Sequence, residues 1–231
     1  LPGIHRPGGY AEYAAVSATG LERIPDPLSF EAAAAVPIAF GTAWHMLITR
    51  GRLRAGETVL IQAAGSTIGS AGIQVARLAG ARVLATAGSD AKLAKARALG
   101  AAEAINYQTE DLPARVRDLT GGRGVDLVFE HIGGPVFTAG LACLARGGRM
   151  ATCGAHAGEV VPFDLIEFFR KEVTLVGSYR ATSQELREVL RLVAEGRLAP
   201  VIHACYPLRE AAAAHRLMEE RGHFGKVLLA P

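Results

Sequence analysis

The residues best placed to do chemistry lie in one stretch, Val59 to Ala79, which reads VLIQAAGSTIGSAGIQVARLA. An apolar run enters a turn of small residues, and the turn opens a helix. Gly65 and Gly69 stand four apart, with Ser66, Thr67 and Ile68 between them. A diphosphate needs close approach to the backbone and free N–H groups at a helix N-terminus. Gly65 and Gly69 supply the room, and Gly72 lets the helix lie close on its strand. Glycines at this spacing also occur in ordinary strand-to-helix turns, where small residues serve packing alone. The position after a strand and at the start of a helix favours the phosphate reading.

The next apolar run, Arg82–Ala87, bears on which dinucleotide. Sites for NAD place an acid at the end of this strand, about 20 residues past the glycines. Here the strand ends Thr86-Ala87-Gly88, and Ser89 and Lys92 follow. A hydroxyl and a cation suit a 2′-phosphate, so NADP(H) is expected over NAD(H). Asp90 would oppose that phosphate if it turned inward, and Lys92 could equally be a solvated helix residue.

These groups must be carried by alternating strands and helices. Strands are expected at Thr58–Gln62, Arg82–Ala87, Glu103–Asn106, Val125–Glu130, Arg149–Cys153 and Val173–Ser178. Helices are expected at Ile68–Ala79, Asp90–Leu99, Glu110–Leu119, Pro135–Ala145 and Asp164–Lys171. Six short apolar strands alternating with helices imply an α/β fold with a doubly wound parallel six-stranded sheet, buried on both faces. Before it, Tyr10–Val16 reads as a strand, and Ser29 as the N-cap of an alanine-rich helix. After it, Leu186, Val189, Leu190 and Val193 mark an amphipathic helix. A strand at Ala199–Cys205, a helix near Arg209–Arg221 and a strand at Lys226–Leu229 follow. Three units are expected: 1–40, 41–179 and 180–231, the last rejoining the first.

Composition narrows the classes. Half of the 231 residues are hydrophobic, and the net charge is only +3. Basic residues are interleaved with acidic ones and form no stripe, so no nucleic-acid partner is expected. The longest apolar run, Ala32–Phe40, contains Pro37 and is too short to span a bilayer, so no membrane role is expected. Cys143, Cys153 and Cys205 are far apart in the chain. They are read as three buried thiols in a reducing cytoplasm, with no disulfide or local zinc site. The chain opens on Leu1 in a loop-like stretch and is expected to lack its protein's start.

The chain resembles the medium-chain dehydrogenase/reductase superfamily, in particular its zinc-binding dehydrogenase and quinone-oxidoreductase-like members. The stretches that carry the resemblance are GGYAEYAAV (Gly8–Val16), LSFEAAAAVPIAFGTAWHML (Leu28–Leu47), AAGSTIGSAGIQVARLAGARVLATAGSDAKL (Ala63–Leu93), LTGGRGVDLVFEHIGG (Leu119–Gly134), GGRMATCGA (Gly147–Ala155) and FGKVLL (Phe224–Leu229). The resemblance implies a Rossmann domain over 41–179, flanked by remnants of a GroES-like catalytic domain. It implies that Gly65, Ser66, Thr67, Ile68 and Gly69 face the diphosphate. Gly88, Ser89 and Lys92 would surround the adenosine ribose and its phosphate, with Tyr107 on the adenine side. Gly134, Gly154, Ala155 and His156 would lie along the nicotinamide half, with Thr42 near the ring and Lys226 reaching the diphosphate. Two departures stand out. Ile38 replaces the metal-ligating cysteine of the zinc alcohol dehydrogenases, so zinc is possible only in a preceding segment. Ser66 and Thr67 stand where relatives often have glycine.

The implied activity is hydride transfer from NADPH to a small conjugated carbonyl such as a quinone or enone. The alternatives are a zinc-type alcohol dehydrogenase and a non-catalytic cofactor-binding fragment or redox sensor. The catalytic proton donor is expected outside this chain. A homodimer paired through the strand at Val173–Ser178 is expected, as in relatives. His131 is read either as a neighbour of the cofactor or as a hydrogen-bonded structural histidine. Glu130 is read as a strand-end carboxylate paired with an arginine, and Trp44 and His45 as packing residues.

Overall fold

The structure, a computed structural model, describes residues 8–231. Six strands form one parallel sheet: β1 (Thr58–Ile61), β2 (Arg82–Ala87), β3 (Glu103–Asn106), β4 (Val125–Glu130), β5 (Leu144–Thr152) and β6 (Thr174–Gly177). Their spatial order is β3-β2-β1-β4-β5-β6. Leu60 of β1 pairs with Leu84 of β2 on one side and Val128 of β4 on the other. Successive strand residues point to opposite faces, and the core divides accordingly. Val59, Ile61, Val83, Ala85, Leu127 and Phe129 join one apolar cluster. Leu60, Leu84, Ile105, Val128 and Met150 join the other. This explains why the strands read as unbroken apolar runs: both faces are covered.

The first face is covered by α1 (Phe30–Trp44), α2 (Thr67–Leu78) and α7 (Ser183–Ala194). The second face receives Leu112 and Val116 of α4 (Leu112–Leu119) and Phe137 of α5 (Gly134–Ala142). Between them in sequence come α3 (Asp90–Ala98) and α6 (Leu165–Arg170). One apolar cluster thus holds Val36, Phe40, Leu127, Val189 and Leu192 together, across sequence positions 40 and 180. The helical stretch Phe30–Arg50 has the length and hydropathy to cross a membrane, but half of its apolar window is buried in the protein. Its buried residues Val36, Phe40, Met46 and Leu47 belong to the core of the first face.

Local chemistry sets the helix starts. Ser29 accepts a hydrogen bond from the Ala32 N–H at 3.1 Å, as its N-cap reading requires. Asp111 caps α4 by accepting from the Ala114 N–H at 2.7 Å, which moves the start of that helix from Glu110 to Leu112. Glu110 instead accepts from the Asn106 N–H at 2.7 Å.

Other expectations need correction. Tyr10–Val16 is not a strand; it runs as exposed irregular chain. β5 begins at Leu144, five residues before its expected start, because Leu144 pairs with Val125 ahead of a register shift. In the tail, β7 (Ile202–Pro207) pairs in parallel with β8 (Lys226–Ala230), with α8 (Ala211–Glu219) between them. Only Cys143 is fully buried; Cys153 is half-buried and Cys205 exposed.

Past Trp44, α1 runs into a π-helical turn, His45–Arg50. Glu185 fastens this turn to α7. It is 8% exposed and forms a capping box with Thr182. Its carboxylate accepts from the Thr182 N–H at 2.6 Å, from His45 Nδ1 at 2.9 Å and from the Thr49 hydroxyl. Burial opposes its charge, but the Thr182 amide and the Thr49 and His45 side chains outweigh burial and hold the carboxyl below its ordinary value. The stabilisation is therefore complete above the unfolded carboxyl's pKa of about 4.3 and is lost as pH falls through the lower folded value. Glu185→Ala is expected to cost about 2 kcal/mol at pH 7, since it strips a cap and strands buried donors. Urea unfolding should show that cost shrinking below pH 4.

Candidate functional site

Chain crossovers leave β1 toward β2 and β4 toward β5, so the strand order reverses between β1 and β4. Beyond the carboxyl ends of these two strands a crevice opens, the place where open α/β sheets bind ligands. The turn after β1 forms one lip. Ala63 takes a left-handed conformation there, with φ of 50°. The Ala63 N–H donates to the Thr86 hydroxyl at 3.2 Å and the Ala64 N–H to the Thr86 carbonyl at 2.8 Å. Thr86, at the end of β2, thereby anchors the turn. Ser66 is the N-cap of α2: its hydroxyl accepts from the Gly69 N–H at 2.8 Å, and its carbonyl from the Ser70 N–H at 3.0 Å. The amides of Thr67 and Ile68 keep no partner among the described residues.

Gly69 is forced by close approach. A Cβ there would collide with the Ala63 carbonyl. A Cβ on Gly72 would come 3.2 Å from the Phe129 ring, so the small residue sets how tightly α2 lies on β4.

The other lip begins at the end of β4. Glu130 is fully buried, and its pairing with an arginine is not seen. Its carboxylate instead accepts from the Ile132 N–H at 2.5 Å, the Gly133 N–H at 2.6 Å and the Thr152 hydroxyl at 2.6 Å. It shapes the turn into α5 and ties it to β5. Gly133 and Gly134 have φ of 77° and 53°. The Gly134 N–H donates to the Gly158 carbonyl at 3.1 Å and the Ala157 N–H to the Ile132 carbonyl at 2.8 Å. A Cβ on Gly154 would strike the His131 carbonyl. The loops holding Gly134 and Gly154–His156 are thus laced together, with Ala155 and His156 exposed.

His131 sits between the lips, 5% exposed. Its Nε2 meets the Ser66 hydroxyl at 2.9 Å, and its Nδ1 has no partner. Burial, and secondarily the charge of His156, pull its pKa down to about 4, so the ring is neutral at pH 7.

A cationic edge borders the first lip. The Lys92 side chain crosses Gly65, whose Cβ position lies 3.0 Å from Lys92 Cδ. Lys92 Nζ donates to the Arg221 carbonyl at 2.6 Å, leaving two of its three donors uncommitted. Burial, then the charges of Arg221 and Lys95, lower its pKa. Lys226 is also lowered, by burial. Neither lysine has an acidic partner among the described residues. The chain just before Lys226 rests on the turn. The Gly225 N–H donates to the Gly65 carbonyl at 2.9 Å, and the Thr67 hydroxyl to the Gly225 carbonyl at 3.0 Å. The resemblance implies Lys226 at the diphosphate, but the two bonds of Gly225 to the turn, formed across most of the chain, have no mark in the sequence.

At the end of β2, a Cβ on Gly88 would come 2.7 Å from the Tyr107 hydroxyl. Ser89 caps α3 without using its hydroxyl. Asp90 accepts from Asn106 Nδ2 at 3.3 Å and so is engaged toward β3. The structure therefore gathers Gly65–Gly69, Lys92 and Lys226 at one lip, Gly88 with Tyr107 beside it, and Gly134 with Gly154–His156 at the other. Thr42 is half-buried on α1, the helix that packs against α2.

A dinucleotide fits these residues. Two open amides, a cradle that a Cβ at Gly69 would fill, and Lys226 without an acidic partner suit a diphosphate, and Lys92, three residues after Ser89, suits a 2′-phosphate. For zinc the described residues do not fit: no three His, Cys, Asp or Glu side chains are grouped to hold a metal, and Ile38 is 55% exposed. Gly69→Ala should lower stability by about 1–3 kcal/mol through overpacking against Ala63. Denaturant unfolding would register this as a lower midpoint with an unchanged slope.

Residues 67–195 match the zinc-binding dehydrogenase family. The chain is 35% identical to quinone oxidoreductase-like protein 2 of Bos taurus, over all of this chain and 68% of that protein. It is 44% identical to a solved NAD-dependent alcohol dehydrogenase, with a TM-score of 0.91 over 98% of this chain and 66% of that one. A 2-octenoyl-CoA carboxylase reductase, solved with NADP and 2-octenoyl-CoA, is 34% identical with a TM-score of 0.88, over 96% of this chain and 54% of that one. The chain also spans 11% of a mycocerosic acid synthase-like polyketide synthase of Mycobacterium tuberculosis, at 35% identity over 98% of its own length.

Proposed function

We propose, from the premise that this chain belongs to the zinc-binding dehydrogenase family of the medium-chain dehydrogenase/reductase superfamily, that it binds NADP(H) and serves reduction of a conjugated carbonyl. The observation that carries the proposal is the pair of unpartnered Thr67 and Ile68 amides in a turn that Lys92 crosses at Gly65 and that the chain just before Lys226 straps. When bound, NADPH supplies the hydride. The chain's own residues bind and orient. The α2 N-terminus takes the diphosphate, aided by the helix dipole. Ser89 and Lys92 take the 2′-phosphate, and Tyr107 backs the adenine. Gly134 and Gly154–His156 leave room along the nicotinamide half. The relative solved with NADP and 2-octenoyl-CoA supports both the coenzyme and the class of acceptor, because its acyl group is a conjugated thioester. The bovine relative supports a quinone.

A second reading, alcohol–ketone interconversion with NAD(H), is favoured by the 44% identical alcohol dehydrogenase. The absence of an acid at the tip of β2 favours the phosphorylated coenzyme instead. Fluorescence titration distinguishes them: NADPH should bind at least tenfold more tightly than NADH. Lys92→Ala should raise the NADPH Kd about tenfold, the loss of one charge-assisted bond, and change the NADH Kd less than twofold. Equal affinities in the unmodified chain would favour the second reading. Turnover of enones and quinones against alcohols in the whole protein would then assign the reaction.

A second copy of the chain is proposed as the partner. Among the described residues β6 pairs with β5 and with no other strand, and Leu175 is partly exposed and Phe169 and Tyr179 exposed. Sedimentation should show a dimer, and Leu175→Asp a monomer.

A further inference from the structure

We propose that His131 is a positioning residue that makes the Ser66 hydroxyl an obligate hydrogen-bond donor to the coenzyme diphosphate. The inference rests on the dinucleotide reading above and deepens it. His131 follows β4 and Ser66 follows β1, so their 2.9 Å bond spans the crevice where the strand order reverses. A hydroxyl has one proton and two lone pairs. One lone pair of Ser66 already accepts from the Gly69 N–H.

The neutral ring carries its proton on Nε2 or on Nδ1. Nδ1 is buried without a partner, and an orphaned buried N–H is rarer in proteins than an under-used acceptor. The proton therefore sits on Nε2 and is donated to Ser66. Both lone pairs of Ser66 are then filled, and only its O–H remains to point at a ligand. A phosphate oxygen accepts and does not donate, so a serine free to turn a lone pair toward it would repel it. His131 removes that orientation. This accounts for a hydroxyl in a turn where the resemblance expects glycine: with His131 beneath it, the serine adds a third donor beside the Thr67 and Ile68 amides.

The test is a double-mutant cycle in the 231-residue chain, read as the NADPH dissociation constant by fluorescence. His131→Phe keeps a ring but removes the donor, and should weaken NADPH about tenfold. Ser66→Gly should weaken it to a similar extent. His131→Phe placed in the Ser66→Gly background should add less than twofold, because the histidine acts through the serine. His131→Gln, which restores an N–H, should recover affinity to within threefold of the unmodified chain. It also serves as the readout if the phenylalanine variant does not fold. Additive effects in the cycle, or full affinity in His131→Phe, would overturn the proposal. For His131→Gln alone, a tenfold loss would do the same. Failure of the unmodified chain to bind NADPH would instead overturn the dinucleotide reading itself.

Discussion

The Ser66 hydroxyl closes the first turn of α2 on the Gly69 amide, and the arrangement of the crevice follows from that closure. It fixes which N-terminal amides are used up and which stay open. With Gly69 capped and Ser70 bonded to the Ser66 carbonyl, Thr67 and Ile68 are left to face outward. Open amides at a helix start are ordinarily satisfied by water or a ligand. The turn reaches this geometry at a cost. Ala63 is held left-handed, a conformation unfavourable by roughly 1–2 kcal/mol for a residue with a Cβ. Bonds to Thr86 on β2 and the contact at Gly69 hold it there. Strain retained at such a turn agrees with a binding role.

The rest of the molecule makes that turn rigid. β1 lies at the centre of the sheet with all four residues buried. Its neighbours on each side place Thr86 and His131 against the turn from opposite directions. On the first face of the sheet α2 packs on α1, which in turn packs on α7, so the segment that binds is braced by residues distant in sequence. The C-terminal strap adds a further restraint through Gly225. Lys92 is held across Gly65 by the Arg221 carbonyl and is thus positioned before any ligand arrives, which lowers the ordering cost of binding.

Much of this was legible in the sequence, for identifiable reasons. β2, β3 and β4 are short apolar runs between turn residues, and their bounds follow from that pattern. The glycine spacing from Gly65 to Gly69 located the β1–α2 turn because only small residues tolerate the approach to Ala63. What stayed hidden depends on partners far along the chain. Glu130 read as half of an ion pair, but its donors are two local amides and Thr152 on the neighbouring strand. His131 had no spacing to mark it, since its partner Ser66 belongs to another strand's turn. The pairing of β7 with β8 is likewise non-local. Tyr10–Val16 has strand-like composition but no neighbouring strand among the described residues, and composition cannot reveal that lack.

The central claim is that the open amides after β1 receive a diphosphate. Backbone amide NMR of the isotopically labelled chain during titration with NADPH measures this most directly. The account predicts that the Thr67 and Ile68 resonances move furthest downfield and saturate together with the coenzyme. It would be contradicted if NADPH bound while both resonances stayed in place.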